Sequence, residues 1–482
     1  IVLFPALIRR QSFVISRNYF SQFCKLIGQK VVSELPKMGS ALENYVNQVR
    51  TLSASGSYRE LAEELPESLS LLARNWSILD NVLETLDMQQ HSLGVLYVLL
   101  AKLHSASTAN PEPVQLIQLM RDFVQRNNNE QLRYAVCAFY ETCHLFTEFV
   151  VQKNLSILGI RIISRAIDQI RQLETQLTPI HADLCLLSLK AKNFSVVLPY
   201  LDADITDIST VAAECKTQQQ QQSQHADANN DAKYFLLYFY YGGMIYTAVK
   251  NYERALYFFE VCITTPAMAM SHIMLEAYKK FLMVSLIVEG KIAYIPKNTQ
   301  VIGRFMKPMA NHYHDLVNVY ANSSSEELRI IILKYSEAFT RDNNMGLAKQ
   351  VATSLYKRNI QRLTKTFLTL SLSDVASRVQ LASAVEAERY ILNMIKSGEI
   401  YASINQKDGM VLFKDDPEKY NSPEMFLNVQ NNITHVLDQV RQINKMEEEI
   451  ILNPMYVKKA LGSQDDDLTS QHPKTFSGDP TD

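Results

Sequence analysis

Leu363–Phe413 reads LTKTFLTLSLSDVASRVQLASAVEAERYILNMIKSGEIYASINQKDGMVLF. Three short signals stand close together in it. Ser371 and Asp374, followed by Val375, Ala376 and Val379, mark a helix start: a hydroxyl accepts from a first-turn N–H while the acid meets the positive end of the helix. Ser383 and Glu386 repeat the signal ahead of Tyr390, Ile391, Met394 and Ile395, whose spacing lines one helix face. Gly398 supplies a left-handed stop. Glu399–Asn405 and Met410–Phe413 are β-prone runs joined by Gln406-Lys407-Asp408-Gly409, which predicts a hairpin. With Thr369-Leu370-Ser371 as a short leading strand, the order is strand, helix, helix, hairpin. That is the order of a winged helix.

Outward from this stretch the chain reads as helix. Its 482 residues allow two to four domains, and only 14 are glycine. From Ser40, Leu42, Tyr45, Val46, Val49 and Leu52 share one helix face, and amphipathic segments follow through Lys192, broken at Gly56, Pro66 and the loop Ser105–Pro113. Short helices of this kind cannot bury their faces singly, so neighbours must stack. Ala191-Lys-Asn-Phe194 with Leu198 is echoed by Val249-Lys-Asn-Tyr252 with Leu256. Around the second copy Gly243, Tyr246, Ala255, Phe259 and Pro266 approach tetratricopeptide spacing, although the period is irregular. The expected fold is mostly α: a TPR-like helical-repeat solenoid at the N-terminal side, a domain ending in the winged helix with its small antiparallel sheet, and then a long C-terminal helix.

The boundaries follow from composition. Residues 1–37 form a basic segment with no acid before Glu34; it reads as transit-peptide-like or, since Met38 is the first methionine, as upstream sequence translated in frame. Residues 40–215 hold the first helical repeats. Residues 216–231, KTQQQQQSQHADANND, lack large apolar side chains and are expected to be disordered. Residues 232–368 resume as helices, including one predicted over Leu328–Thr340 and one from Met345 to about Phe367. The winged helix occupies 369–414. Ser422-Pro423-Glu424 opens a helix over 422–452, and the polar residues 453–482 read as a disordered tail.

That last helix has a distinct pattern. Phe426, Val429, Ile433, Val436, Val440 and Ile443 alternate spacings of three and four, a 3.5-residue period that makes a coiled-coil seam. A seam this narrow wants partner helices.

The chemistry search narrows the function classes. The 48 basic and 50 acidic residues nearly cancel, so no global field draws the chain to nucleic acid or anionic lipid. No phosphate loop, dinucleotide fingerprint, HExxH or GxSxG pattern is present, and no apolar run approaches the ~20 residues of a membrane span. The six cysteines show no CxxC and read as thiols of a reducing compartment. His312-Tyr313-His314 is the one metal-like pattern, but on a helix residues two apart diverge by about 200°. Between Leu370 and Asp416 acidic residues outnumber basic ones, which argues against a DNA-reading wing. Lys357, Arg358, Arg362 and Lys365 form a basic cluster on the preceding helix, read as a solvated face or an RNA contact.

A helical array leading into a winged helix resembles the PCI-domain family, shared by the proteasome lid, the COP9 signalosome and a translation initiation complex. Tyr240–Lys280, Phe339–Gln350, Asn359–Leu372 and Gly398–Val411 resemble one branch of that family, the PCI subunits of the signalosome. The resemblance implies a non-catalytic scaffold of a hetero-oligomer that removes a ubiquitin-like modifier from cullins. It implies a zinc isopeptidase in a different, MPN-domain subunit, and no cofactor or metal in this chain: His314 is followed by Asp315, not by the proline of that site. Partners would be other PCI and MPN subunits and, indirectly, cullin-RING ligases, in cytoplasm and nucleus, with no nucleic acid and no membrane. A PCI subunit of the proteasome lid or initiation complex, or a winged-helix nucleic-acid binder, are the alternatives.

Two association surfaces are expected. PCI sheets pair edge to edge, which points to Met410–Phe413 as an exposed strand and to Ile400, Ala402, Ile404, Met410 and Leu412 as interface residues. C-terminal helices join a bundle, which points to the seam from Phe426 through Val429, Ile433, Val436 and Val440 to Ile443.

Overall fold

A computed structural model of the chain describes residues 38–109, 112–209, 224–267, 269–295, 301–415 and 422–459. Residues 1–37, residues 216–223 of the glutamine-rich insertion and the tail from 460 lie outside the described residues. The chain divides into two compact units: the described residues up to Thr366 together with Leu372–Tyr390, and Phe367–Ser371 with the residues from Ile391 onward.

The first unit is a train of helices. Val136–Gln152, Ser156–Ile170, Ile180–Ala191, Gln224–Val249, Tyr252–Thr264 and His272–Val288 pack in succession, and one contiguous apolar core runs from Leu42 to Leu355. The turns between them share one device. Asn154, Lys192, Lys250 and Asn343 each stand at positive φ just past a helix. In each case the next residue's N–H reaches back five residues: Leu155 to Val150, Asn193 to Ser188, Asn251 to Tyr246 and Asn344 to Phe339. This is the six-to-one bond that closes a helix on a left-handed residue. The Lys-Asn echo in the sequence is therefore a repeated turn. After the second copy the Asn251 side chain accepts from the Arg254 N–H at 3.3 Å and opens the next helix.

Gly242 and Gly243 set how closely two of these helices approach. A Cβ on Gly243 would lie 2.6 Å from the Phe259 ring, and one on Gly242 would lie 2.6 Å from Phe258. Both rings are buried, so neither has room to withdraw.

Several boundaries differ from the sequence reading. Ser105–Ala109 continues the helix Ser92–Ala109 instead of forming a loop. Gln224–Asp231 is the start of the helix Gln224–Val249, so disorder cannot describe that half of the insertion; 216–223 lies outside the described residues. The helix expected over Leu328–Thr340 is two, Ser325–Lys334 and Ser336–Arg341. Residues 454–459 are helical, within what was read as tail. Cys143, Cys185 and Cys262 are buried thiols. A two-stranded parallel ladder, β1 (Gln176–Leu177) with β2 (Asp207–Ile208), was not foreseen.

The winged helix forms as the caps dictate. Helices Leu372–Val379 and Ala384–Lys396 follow β3 (Thr369–Ser371). Ser383 Oγ accepts from the Glu386 N–H at 3.2 Å, and Glu386 Oε2 accepts from the Ala382 N–H at 3.3 Å. Gly398, at φ +71°, ends the second helix, with its N–H bonded to Ile395 O and that of Glu399 to Met394 O. Tyr401–Asn405 and Met410–Lys414 are β4 and β5.

Replacing Gly243 by valine forces either the Phe259 ring or the helix pair to shift, and overpacking of this kind costs about 1–3 kcal/mol. Thermal unfolding of Gly243→Val is expected to show a lowered midpoint, whereas Gly346→Ala, where an added Cβ meets nothing within 4 Å, is expected to leave it unchanged or raise it.

Candidate functional site

The sheet of the second unit has the order β3-β5-β4. Thr369 pairs with Leu412, Leu370 with Val411 and Ser371 with Met410, and Phe413 N–H donates to Leu368 O at 2.8 Å. On its other side the same strand pairs with β4, from Tyr401 opposite Lys414 to Asn405 opposite Met410. Met410–Phe413 is therefore the central strand, and its expected role as an exposed edge is corrected. The reason is that Thr369–Ser371, some forty residues earlier, occupies the side that the hairpin alone would have left open. The edge strands are β3 and the five-residue β4.

Register also sorts the five expected interface side chains, because directly opposed residues share a face. Ala402 lies opposite Phe413 and Ile404 opposite Val411; Val411 and Phe413 are buried, so Ala402 and Ile404 belong to the inner face. Ile400 is itself buried, 5% exposed, and is a core residue rather than a contact surface. Met410 and Leu412 stand on the opposite face with Ser403, Asn405 and Thr369, and both are exposed. Of the expected set, only these two are exposed, while Ala402 and Ile404 are half-buried.

The six residues expected to form the seam all fall within one helix. Pro423–Ile451 is one continuous helix of 29 residues. Ser422 caps it, its Oγ accepting from the Met425 N–H at 3.2 Å. None of its residues is buried. Phe426, Val429, Ile433, Val436, Val440 and Ile443 are between 44% and 69% exposed. Apolar residues scattered singly over a surface need no explanation, but six in one heptad register on an otherwise solvated helix form a continuous unpartnered stripe.

Side chains of two competing sites are turned toward other neighbours. His314 Nε2 lies 3.1 Å from the Tyr278 hydroxyl, while His312 packs its ring 5.8 Å from that of Tyr335; the two imidazoles serve different neighbours. Within the basic cluster, Arg358 donates to the carbonyls of Val288 at 3.2 Å and Glu289 at 2.5 Å, satisfying the end of the helix His272–Val288 as a cation does at a helix C-terminus. Arg362 donates to Ser323 Oγ. Both guanidinium groups are engaged by neighbouring oxygens of the same unit.

A polar node escaped the sequence reading. Lys279 Nζ donates to Glu276 Oε1 and Asp342 Oδ2, each at 2.8 Å. The Tyr313 hydroxyl donates to the same Asp342 oxygen at 3.0 Å and accepts from Asn344 Nδ2 at 2.8 Å. Lys280 Nζ donates to Asn344 Oδ1 at 2.8 Å and stands over the Tyr240 ring. Both lysines are buried. Burial opposes the Asp342 charge, yet Lys279 and Tyr313 hold its carboxyl below the usual range. Burial lowers Lys280 to about 8, against the opposing pull of Glu276. The node ties His272–Val288 to Asn311–Ala321 and to the turn before Met345–Thr364. Its only trace in the sequence is Lys279-Lys280 inside an apolar helix and the Asp342-Asn343-Asn344 turn.

The helical array, the winged helix with a three-stranded antiparallel sheet and the terminal helix define a protein of the PCI class. Residues 332–415 match the PCI domain, and residues 55–302 match the family described as COP9 signalosome complex subunit 3, N-terminal helical repeats. COP9 signalosome complex subunit 3 of Dictyostelium discoideum is 35% identical over 404 residues, which are 83% of this chain and 92% of that relative. The chain belongs to the COP9 signalosome subunit 3 family.

The node carries a pH signature. Between about 8, where Lys280 titrates in the folded chain, and the ordinary lysine value of about 10.4, the unfolded chain binds more protons. That group's contribution to stability therefore rises with pH through this window, by at most about 1.4 kcal/mol per pH unit. Urea unfolding at pH 7.5, 8.5 and 9.5 should show the stability difference between wild type and Lys280→Met moving toward wild type as pH rises. A difference constant across the series contradicts the assignment.

Proposed function

We propose that this chain is a non-catalytic scaffold subunit of the COP9 signalosome, holding neighbouring subunits through the winged-helix sheet and the C-terminal helix. Through the complex it serves the removal of a ubiquitin-like modifier from cullins, and so the control of cullin-RING ubiquitin ligases, with the isopeptidase centre in an MPN-domain subunit. Its immediate partners are other PCI and MPN subunits, and it works in cytoplasm and nucleus. Family membership supports the assignment to the complex. The single observation that carries the scaffold role is the exposed seam on Pro423–Ile451, which no other part of the described chain covers.

The sheet contributes a second surface in corrected form. β3 and the longer β4 replace Met410–Phe413 as the strands with a free side, flanking the strand that carries the exposed side chains of Met410 and Leu412. An edge strand left with unpaired backbone groups recruits another strand or must be shielded from doing so.

Burying one Val or Ile of the seam contributes about 1.5–3 kcal/mol of association, so charging two adjacent layers should weaken binding by at least about a hundredfold. Val436→Glu with Val440→Glu is expected to release the chain from the subunits that co-purify with it, with helical content by circular dichroism unchanged. Undiminished co-purification of that double variant sinks the scaffold reading.

A further inference from the structure

His181 is the second residue of the helix Ile180–Ala191. It is 4% exposed, and the rings of Tyr200 and Tyr238 meet its imidazole edge to face at 5.8 and 6.1 Å. The Thr178 N–H donates to its Nδ1 at 3.0 Å, and Thr178 Oγ1 lies 2.9 Å from the same atom. An amide N–H can only donate, so Nδ1 accepts and the ring proton belongs on Nε2. Burial lowers the imidazole to about 4, against the opposing pull of the Thr178 backbone, and the ring is neutral near pH 7. What remains is a single N–H donor, Nε2–H, with no hydrogen-bond partner among the described residues. A buried donor left unpaired costs about 1–3 kcal/mol.

His181 lines a narrow cleft between Glu174–Leu177 and Ala203–Ile205, where the parallel ladder of β1 and β2 begins. Its enclosed part has room for about one water-sized group. Other polar groups of the cleft are already used. The Tyr200 hydroxyl donates to Asp168 at 3.0 Å and the Tyr238 hydroxyl to Tyr200 O at 3.2 Å. Arg171 is paired with Asp168 at 2.7 Å. Glu174 and Asp204 are different: both line the cleft, both are exposed, and neither carboxylate has a partner among the described residues. The cleft therefore offers one fixed donor and two free negative charges.

A complementary ligand brings a small acceptor for the enclosed part and a cation beside it. A lysine or arginine side chain has donors only and leaves the Nε2–H of His181 unmet. A carboxamide or hydroxyl supplies the acceptor without the charge. The free amino terminus of a polypeptide carries both, since its ammonium and its first carbonyl are joined through one Cα. We propose that this cleft binds the free amino terminus of a polypeptide, the first carbonyl oxygen accepting from His181 Nε2–H and the α-ammonium pairing with Glu174 and Asp204. Hydrogen bonds from an ammonium to carboxylates are charge-assisted and stronger than neutral ones, and capture of an amino terminus is a recurring mode of peptide recognition. The cleft shares no residue with the seam, so the two assignments stand or fall separately.

The probe is glycinamide, which carries the ammonium and the carbonyl and little else. It is titrated into the full chain with ring-15N-labelled histidine, at about pH 6.5, where an α-amino group is protonated. The Nε2 resonance of His181, assigned by its loss in His181→Gln, is expected to shift saturably with a dissociation constant in the millimolar range. N-acetylglycinamide keeps the carbonyl and loses the charge; methylamine keeps the charge and lacks the carbonyl. Each is expected to bind roughly tenfold weaker or worse. Glu174→Gln with Asp204→Asn is expected to weaken glycinamide by a similar factor, with the His181 resonance of the free chain retained as evidence of an intact fold. A His181 resonance that glycinamide does not move overturns the proposal. Methylamine binding as tightly as glycinamide reduces the site to two carboxylates that attract any cation, and N-acetylglycinamide binding as tightly reduces it to a neutral acceptor site; either result overturns the assignment to an amino terminus.

Discussion

Water does not tolerate a continuous apolar stripe along a helix without a cover, and that constraint organises the C-terminal third of this molecule. Pro423–Ile451 is capped, uninterrupted and regular, yet buries none of its side chains. A helix of this length gains little from propensity alone, and in proteins its stability comes from packing its apolar face. Among the described residues nothing covers that face, and the proposed scaffold role assigns the cover to other helices. The winged helix beside it in sequence follows the same logic at the level of the backbone, since a three-stranded sheet always leaves two edges.

The first unit answers a different requirement. Stacked helices held only by apolar contact have few features that fix one arrangement over another, and buried polar networks can supply that specificity when fully satisfied. The node of Lys279, Asp342, Tyr313, Asn344 and Lys280 is satisfied throughout, and it joins residues more than sixty positions apart. By itself a buried ion pair adds little to stability, but removing one partner is strongly destabilising. The repeated left-handed turns at Asn154, Lys192, Lys250 and Asn343 set the local geometry; the node and the close approach at Gly243 set the packing.

What could be read from the sequence divides along the same line. Local signals were legible: the Ser383–Glu386 cap, the Gly398 stop, the hairpin around Asp408-Gly409 and the seam from Phe426 to Ile443 all rest on interactions within a few residues. Non-local pairing was not. Nothing between Gly398 and Phe413 shows that Thr369–Ser371 lies against Met410–Leu412, and that pairing moves the free edges to β3 and β4. The burial of Ile400, and the inward facing of Ala402 and Ile404, follow from the same register. The polar node was hidden for the same reason, since Lys279 and Asp342 become neighbours only when three helices pack. Ser105–Ala109 misled in the opposite direction: small and polar residues read as a loop, but they extend the helix Ser92–Ala109.

The scaffold role requires a seam that is solvated in the free chain and buried in the assembly. Amide hydrogen exchange over Pro423–Ile451, compared between the free chain and the complex, tests it most directly. The account predicts exchange from near-fraying openings in the free chain and protection larger by at least two orders of magnitude on assembly, centred on Val436–Ile443. Equal exchange in the two states would contradict it.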